Sequence, residues 1–341
     1  MEIDRTLYVD RVGAFAFDRL SCLRNEYAKN ECALCIKQCA QNAFVIREGK
    51  LRLDAGACTQ CGACIGACPT NALSLYGFSY EVALETLMRD ETELTCKSAL
   101  PCLGALSVQN WSALLIASSK TFTCNLFSCE GCPVNVSNQV KNAIVKRLEE
   151  ANAFVCVLGY SNAIQVRYTP PKEPSRRAFF ERFLAPSAFR SDAPQDPMGY
   201  LKKALKASLQ KAQILNMPLS FIHPKAITQA CDNCKECVQF CPSNALSYNT
   251  DQTKILFQLG KCVGCGICEA ICKKEAIRNV EEPFDIAHVA YDRAHVLITH
   301  DLHVCLTCKC AFSYKGGMDV CERCASFERE HADMFTLARD R

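Results

Sequence analysis

The sequence lacks long apolar runs, an excess of charge of one sign, and the short motifs of familiar enzymes. No stretch approaches the roughly 18 apolar residues that a membrane-spanning helix needs, so we expect no membrane span. Lysine and arginine total 39 and aspartate and glutamate total 36, a balance that removes any global argument for nucleic-acid binding. Neither a dinucleotide fingerprint nor a P-loop nor an HExxH motif is present, so we expect no catalytic site on the chain itself.

The beginning of the chain also lacks the pattern of a secretory signal. Glu2 and Asp4 stand where a signal would be basic, and no apolar segment follows them. We therefore expect a soluble, cytoplasmic protein in a compartment that keeps thiols reduced.

Cysteine, in contrast, is abundant, at 27 of 341 residues. The cysteines form tight groups of two to four, and none falls between Cys156 and Cys231. In a reducing compartment such groups indicate metal binding rather than disulfides. The gap divides the chain into two halves, and each half carries two four-cysteine runs.

Three of the four runs share the spacing Cys-x2-Cys-x2-Cys-x3-Cys, which is typical of bacterial iron–sulfur sites. They begin at Cys58, Cys231 and Cys262. Proline follows the run in two of them, and Lys273 takes its place in the third. Four-cysteine zinc sites usually show two separated Cys-x2-Cys knuckles, so the triple spacing favours iron over zinc.

The fourth run is stretched by an insertion after its first cysteine. Its order is Cys22-x9-Cys32-x2-Cys35-x3-Cys39. The last three cysteines keep their spacing, whereas Cys22 is assigned to the run by default. Between the runs of each half, residues 44–54 and 245–257 alternate between apolar and polar side chains, a pattern that predicts a β-hairpin.

On these motifs, residues 20–77 and 228–281 each resemble a bacterial-type ferredoxin module with two [4Fe–4S] clusters. With two such modules the chain resembles the polyferredoxin-like electron-transfer subunits of anaerobic redox complexes. The resemblance implies that the fourth cysteine of each run binds the cluster of the other run. The four implied ligand sets are Cys39, Cys58, Cys61 and Cys64; Cys22, Cys32, Cys35 and Cys68; Cys231, Cys234, Cys237 and Cys272; and Cys241, Cys262, Cys265 and Cys268.

Residues 81–165 follow a different pattern, in which strands alternate with helices. The alternation predicts a small α/β domain with a parallel sheet, including a helix over 134–152 and a buried strand at Phe154–Leu158. Cys124 and Cys156 fall within the strand patterns, where we expect cysteine to act as a small apolar residue.

A further four-cysteine group lies where loops leave these strands. Its members are Cys96, Cys102, Cys129 and Cys132. The segment is distantly similar to the small [2Fe–2S] subunits that link hydrogenases to heterodisulfide reductases, and this resemblance implies a fifth cluster. A structural zinc site and free thiols remain alternatives.

Residues 166–224 form a proline-rich linker with a basic amphipathic helix. Asp196 and Pro197 provide a helix start, and the pattern predicts a helix that ends near Asn216. Lysines lie opposite the apolar stripe, at Lys202, Lys203, Lys206 and Lys211. Three interpretations remain open: a helix that covers its own domain, a surface that docks on an acidic partner, and a helix on a membrane surface.

The last segment, residues 283–341, contains two Cys-x2-Cys knuckles separated by twelve residues. The knuckles are Cys305 with Cys308 and Cys321 with Cys324. Two knuckles bridged by a short hairpin form a zinc-ribbon pattern, although another [4Fe–4S] cluster is the close alternative and Cys310 could compete as a ligand.

The sequence thus predicts an α+β protein in five parts. These are ferredoxin modules at 1–80 and 225–282, an inserted α/β domain at 81–165, a linker at 166–224 and the four-cysteine segment at 283–341. We expect it to relay single electrons through at least four [4Fe–4S] clusters, as a subunit of a larger anaerobic oxidoreductase, in a hetero-oligomer with other redox subunits. An enzyme with an open-coordination cluster and a non-catalytic iron–sulfur assembly or sensor protein are the alternative functions.

Overall fold

The computed structural model describes residues 8–27, 29–88, 92–96, 100–170, 196–209 and 213–331. The chain divides into a first unit (residues 1–223, 263–265 and 283–292) and a second unit that holds the remainder. None of the helices described is both long and apolar enough to cross a bilayer. The finer division into five parts stays a prediction.

The first ferredoxin module contains short strands, short helices and the predicted hairpin. Its elements are β1 (Val9–Val12), β2 (Phe15–Asp18), α1 (Leu23–Glu26), α2 (Leu34–Gln38), β3 (Phe44–Arg47), β4 (Lys50–Leu53) and β5 (Leu73–Leu75). Strands β3 and β4 pair antiparallel, which confirms the hairpin. Its turn residues Glu48 and Gly49 both have positive φ, as a two-residue turn between twisted strands requires.

An N-terminal hairpin that the sequence pattern did not reveal completes this module. Strands β1 and β2 pair with each other, and β2 also pairs with β5. Phe15 and Phe17 are buried, and both rings meet Phe44 edge to face. These rings supply apolar surface that the short cysteine loops cannot.

The next segment is built on a three-stranded parallel sheet. Its elements are α3 (Tyr80–Met88), β6 (Glu93–Thr95), α4 (Val108–Ser118), β7 (Phe122–Asn125), α5 (Gln139–Val157) and β8 (Ile164–Arg167). The strand order is β6, β7, β8, with all neighbours parallel. Helix α4 starts at a capping box formed by Ser107 and Asn110.

The strand predicted at Phe154–Leu158 is wrong, because Phe154–Val157 is the last turn of α5. Phe154 and Val155 are buried while Cys156 and Val157 are exposed, as the rotation of a helix requires. A short apolar run does not distinguish a strand from a helix, and here the run extends the apolar face of α5. The expectation of a buried Cys156 is therefore also wrong.

The basic helix, α6 (Pro197–Ser208), is shorter than predicted. The Asp196 carboxylate accepts a hydrogen bond from the Gly199 N–H at 3.0 Å and caps its start. The predicted end near Asn216 is wrong, since Ile214–Leu215 forms strand β9. Leu201 and Leu205 are fully buried, and α6 packs on α4.

The second module repeats the plan of the first. Its elements are β10 (Lys225–Ile227), α7 (Glu236–Gln239), β11 (Leu246–Tyr248), β12 (Lys254–Gln258), α8 (Ile267–Ile271) and β13 (Ile277–Asn279). Strands β11 and β12 form the predicted hairpin, and β10 pairs with β13. Three elements follow: β14 (Phe284–Asp285), α9 (Ile286–Ala290) and β15 (Ala294–Thr299). Strand β14 pairs with β9, whereas β15 pairs with β12.

The C-terminal segment contains β16 (Leu302–Val304), β17 (Ala311–Ser313) and α10 (Glu322–His331). Strands β16 and β17 form a hairpin that encloses the first knuckle, and the second knuckle lies at the start of α10. The arrangement differs from a hairpin that bridges the two knuckles. Gly316 and Gly317, both with positive φ, lie in the loop between β17 and α10.

Candidate metal centres

One thiol set of the first module combines the stretched run with the fourth cysteine of the other run. The cysteines that line this cavity are Cys22, Cys32, Cys35 and Cys68. Burial raises the pKa of Cys35, and the neighbouring Cys68 and Cys22 raise it further. The insertion after Cys22 is accommodated by α1, and Cys22 itself is buried at its N-terminus.

The second thiol set of this module shows the reciprocal exchange. Burial raises the pKa of Cys64, and the neighbouring thiols that raise it further are Cys61, Cys35, Cys39 and Cys58. Burial also raises the pKa of Cys58, with additional contributions from Cys61 and Cys39. Cys35 belongs to the other set, so the two sets adjoin at Cys35 and Cys64.

The second module brings together one set in the same crossed manner. The cysteines that line its cavity are Cys231, Cys234, Cys237 and Cys272. Burial raises the pKa of Cys237 to about 12, and its thiol neighbours include Cys268 of the remaining set. In that remaining set, Cys262 follows the turn at Leu259–Lys261, Cys268 is buried in α8, and Cys265 is partly exposed.

The fourth cysteine of every run accepts a hydrogen bond from the backbone N–H four residues later. The N–H to Sγ distances are 3.4 Å for Ala43 to Cys39, 3.3 Å for Ala72 to Cys68, 3.2 Å for Ala245 to Cys241 and 3.2 Å for Ala276 to Cys272. The residue before each donor has positive φ, at Asn42, Asn71, Asn244 and Glu275. This left-handed residue turns the chain so that the next N–H points at the sulfur, and such bonds stabilise negative charge on it.

The donor sets of the two modules fit iron–sulfur clusters better than single ions. Among the described residues, the C-terminal group alone brings three or more possible ligand atoms within 4.8 Å of one another. In a [4Fe–4S] cluster each cysteine binds a different iron atom, so the sulfurs stay further apart than around one ion. Their N–H donors likewise suit a centre whose negative charge resides on sulfur.

The C-terminal group has the spacing of a single tetrahedral ion. The sulfurs of Cys305, Cys308, Cys321 and Cys324 all lie within 4.8 Å of one another. The Cys308 and Cys321 sulfurs are 3.8 Å apart, and zinc–sulfur bonds of 2.3 Å place tetrahedral ligands about 3.8 Å apart. Cys310 is exposed, and its thiol donates to the Cys308 carbonyl at 3.6 Å. The geometry suits a single tetrahedral ion held by these four cysteines, and Cys310 is not among them.

The middle cysteines line one cavity of about 250 Å³. They are Cys96, Cys102, Cys129 and Cys132. Cys96 and Cys129 follow the carboxyl ends of the parallel strands β6 and β7, while Cys102 caps a short turn and accepts the Gly104 N–H at 3.4 Å. Burial raises the pKa of Cys102 to about 12, and Cys61 of the first module also raises it. Cys61 lines the same cavity, so the middle site adjoins the first module.

Two further residues lie beside this cavity: Cys124, which was expected as a small apolar residue of a strand, and Arg147, which sequence reasoning missed. Cys124 lies in β7 with no exposed surface, and burial raises the pKa of its thiol, with further contributions from Cys129 and Cys96. Arg147 lies in α5, and its guanidinium donates to the Gly104 carbonyl at 2.8 Å. No spacing motif marks Arg147, because its partner Gly104 lies 43 residues away in the sequence.

Comparison with protein families identifies the cofactor of both modules. Residues 230–276 match the 4Fe-4S dicluster domain, and residues 51–74 match the 4Fe-4S binding domain. The chain is an iron–sulfur protein with two ferredoxin-type domains. The second match covers the regular run of the first module, whereas the stretched run from Cys22 to Cys39 lies outside it.

Two curated relatives share a short stretch with this iron–sulfur protein. They are the archaeal-type glutamate synthases [NADPH] of Thermotoga sp. (strain RQ2) and Thermotoga maritima, each 39% identical over 61 residues. The stretch is 18% of this chain and 12% of each relative. The chain therefore spans only about an eighth of the length of each relative.

The lysines predicted to form a docking face have different environments. Lys202 forms an ion pair with Asp292 at 2.7 Å, which holds α6 against its own unit. Lys203 and Lys206 are exposed, and Lys211 lies outside the described residues. The apolar stripe covers α4, so only part of the predicted lysine face is open to a partner.

Proposed function

We propose that this chain relays single electrons through four [4Fe–4S] clusters, one for each implied cysteine set. The observation that carries the proposal is the crossed grouping of thiols in the first module, where Cys68 joins Cys22 and Cys35 while Cys39 joins Cys58 and Cys64. A cluster, when bound, takes up and releases one electron at a time. Crossing ties the two runs of a module together, so cluster binding and folding of the module support each other.

The residues of the modules perform the tasks that such a relay needs. At least one thiol of each proposed set is buried, which limits the access of water. The N–H groups of Ala43, Ala72, Ala245 and Ala276 stabilise the added negative charge. Cys35 of one set neighbours Cys64 of the other, and we propose direct electron transfer between the paired sites of the first module.

For the middle cavity we propose a fifth cluster, held by Cys96, Cys102, Cys129 and Cys132. Its position beside Cys61 makes it the next station after the first module. Its cavity is larger than the cysteine-lined cavities of the two modules. This size supports a second candidate function, in which one iron of the cluster has an open coordination position and reacts with a small substrate. Cyanide added to the reduced protein distinguishes the two, because only an open iron site binds it and changes its spectrum.

For the C-terminal group we propose structural zinc. The chain should bind about one zinc in addition to its iron, and Cys308→Ser should release it because the substitution removes one of the four ligands. Cys310→Ser serves as the control, since Cys310 is exposed and is not among the four cysteines whose sulfurs lie within 4.8 Å of one another. Retained zinc in Cys308→Ser, measured by elemental analysis, would contradict the assignment.

We further propose that the chain works within a larger oxidoreductase, as a subunit of a hetero-oligomer. The similarity to glutamate synthases [NADPH] over 61 residues supports this proposal, because the NADPH in that name denotes redox chemistry. Lys203 and Lys206 are the exposed cations of α6 that could meet an acidic subunit. Lys203→Glu with Lys206→Glu should weaken co-purification without loss of iron, whereas Lys146→Glu on exposed α5 is the control. Unchanged assembly in the double variant would remove this docking surface from the proposal.

Metal analysis of protein purified without oxygen tests the central proposal. Four clusters require about 16 iron and 16 sulfide per chain, and a middle cluster adds two to four iron. Dithionite should bleach the visible absorption reversibly. A chain rich in zinc, with little iron and no acid-labile sulfide, would refute the relay.

A further inference from the structure

Arg147 connects the end of α2 in the first ferredoxin module with the turn that follows Cys102 in the middle cysteine site. Its guanidinium donates to the Gly104 carbonyl at 2.8 Å, to the Leu106 carbonyl at 3.4 Å and to the Gln38 side-chain oxygen at 3.0 Å. Gln38 directly precedes Cys39, and Gly104 follows Cys102 by two residues. The cation therefore lies beside a proposed ligand of each site.

The turn that follows Cys102 also packs, backbone against backbone, on residues 63–66 of the first module. A Cβ atom placed on Gly66 would lie 2.5 Å from the Leu106 carbonyl oxygen and 2.7 Å from that of Gly104. One placed on Gly104 would lie 3.3 Å from the Ala63 carbonyl oxygen. We call this contact, residues 63–66 against 104–106, the junction. It brings two cysteine sites as close as backbone packing allows.

The positive charge at the junction is not neutralised by a carboxylate. In the part of the chain that the structure describes, the hydrogen-bond partners of Arg147 are all uncharged oxygens, and no acidic group lies within ion-pair distance. Burial lowers the pKa of Arg147 to about 10, against which the nearby Cys102 and Cys64 raise it. The guanidinium thus stays protonated at neutral pH, in surroundings of low dielectric constant where its charge acts strongly.

We propose that Arg147 makes the two centres beside the junction the most readily reduced sites of the first unit. The cation raises the reduction potential of the centre held by Cys39, Cys58, Cys61 and Cys64 and of the middle site, because both gain one negative charge on reduction. The donor of that electron is the other reduced cluster of the same module, and no bond forms or breaks. The inference rests on the proposed relay and adds its direction, from the Cys22 set toward the middle site.

Gln38→Glu provides a test that leaves every bond of Arg147 in place. The Gln38 amide nitrogen is buried and has no hydrogen-bond partner, so a carboxylate there loses no existing bond. It would lie against the guanidinium and neutralise it. Arg147→Gln removes the charge directly, and Arg147→Lys keeps the charge as a rescue variant.

The measurement is a dithionite titration of the full chain, followed by electron paramagnetic resonance under anaerobic conditions. The Cys61→Ser variant identifies the signal of the cluster held by Cys39, Cys58, Cys61 and Cys64, which we call the junction cluster. In Gln38→Glu and Arg147→Gln its midpoint, with that of the middle site, should shift to more negative potential, while Arg147→Lys should titrate like the parent. The midpoint potentials of the clusters in the second module should stay unchanged in all three variants.

Unchanged midpoints in Gln38→Glu at full iron content would overturn the inference. Equal shifts of all clusters would also overturn it, since they would reflect a general structural change. If Arg147→Gln loses iron, the midpoint potentials of the Gln38→Glu variant alone decide whether the inference holds. A parent chain without redox-active iron would instead refute the proposed relay itself.

Discussion

Each ferredoxin module brings together a crossed set of thiols, but the two modules surround their cysteines with different charge. Cys64 and Cys268 are equivalent third cysteines, and each has a cation nearby, Arg147 in the first module and Lys225 in the second. Lys225 is nearly buried and forms an ion pair with Glu269, whereas Arg147 has only uncharged partners. The repeat thus conserves the ligands while the surroundings distinguish one centre from the other.

The backbone around these third cysteines differs for a related reason. Gly66 in the first module corresponds to Ala270 in the second, by its distance from the fourth cysteine. Ala270 is exposed, but a side chain at Gly66 would collide with the junction. The absence of a side chain at Gly66 therefore lets the first module pack against residues 104–106, and Arg147 of α5 adds a positive charge there.

The largest effect should come from removing a fourth cysteine in either module. Cys68→Ala should lose the same resonance signal as Cys22→Ala and about four iron, because it removes a ligand of that cluster. In the second module, Cys272→Ala and Cys231→Ala should likewise lose the same resonance signal and about four iron.

The regular runs provide the controls for this prediction. Cys58→Ala and Cys262→Ala should lose the other signal of their module. If Cys68→Ala matches Cys58→Ala instead, the crossed ligand assignment fails, and the two modules would no longer share one plan.

An intermediate effect should come from filling the space at the junction. Gly66→Ala should lower the free energy of unfolding by about 1–3 kcal/mol, as forced overpacking usually does, and should disturb the middle site. Gly56→Ala is the matched control, since its Cβ would meet only the Asp54 side chain, at 3.4 Å. Denaturant unfolding of both variants measures the difference in the free energy of unfolding. Equal values would show that the backbone at the junction adjusts to the added methyl group at no cost in stability.

The smallest effect should be a shift of potential in the second module. Glu269→Gln leaves the Lys225 cation unneutralised beside Cys268, so the midpoint of that cluster should become more positive. The shift has the opposite sign to that expected for Gln38→Glu, which makes the first module resemble the second. A negative shift in Glu269→Gln, measured by the same titration, would show that charge does not set the difference.

Sequence spacing predicted the features that short-range chemistry determines. The hairpins at 44–53 and 246–258 follow from alternation and turn residues, and the iron–sulfur runs follow from ligand spacing. Arg147 and Gly66 were not predictable in this way, because their partners lie 43 and 40 residues away and only the packing of α5 brings them together. The misread strand at Phe154–Leu158 has the same origin, since only tertiary contacts decide between strand and helix for a short apolar run.

The pairing of β9 with β14 has a consequence for how the chain is made. Apart from residues 263–265, the first unit stops at His223 and resumes at Pro283, so the entire second module emerges from the ribosome before β14 and α9 can cover Leu215 and α6. Segments that emerge earlier can fold earlier, yet this unit lacks its last elements until much later. A nascent chain stalled after residue 223 should therefore expose the α6 surface to chaperones and proteases, and synthesis through Asp292 should protect it.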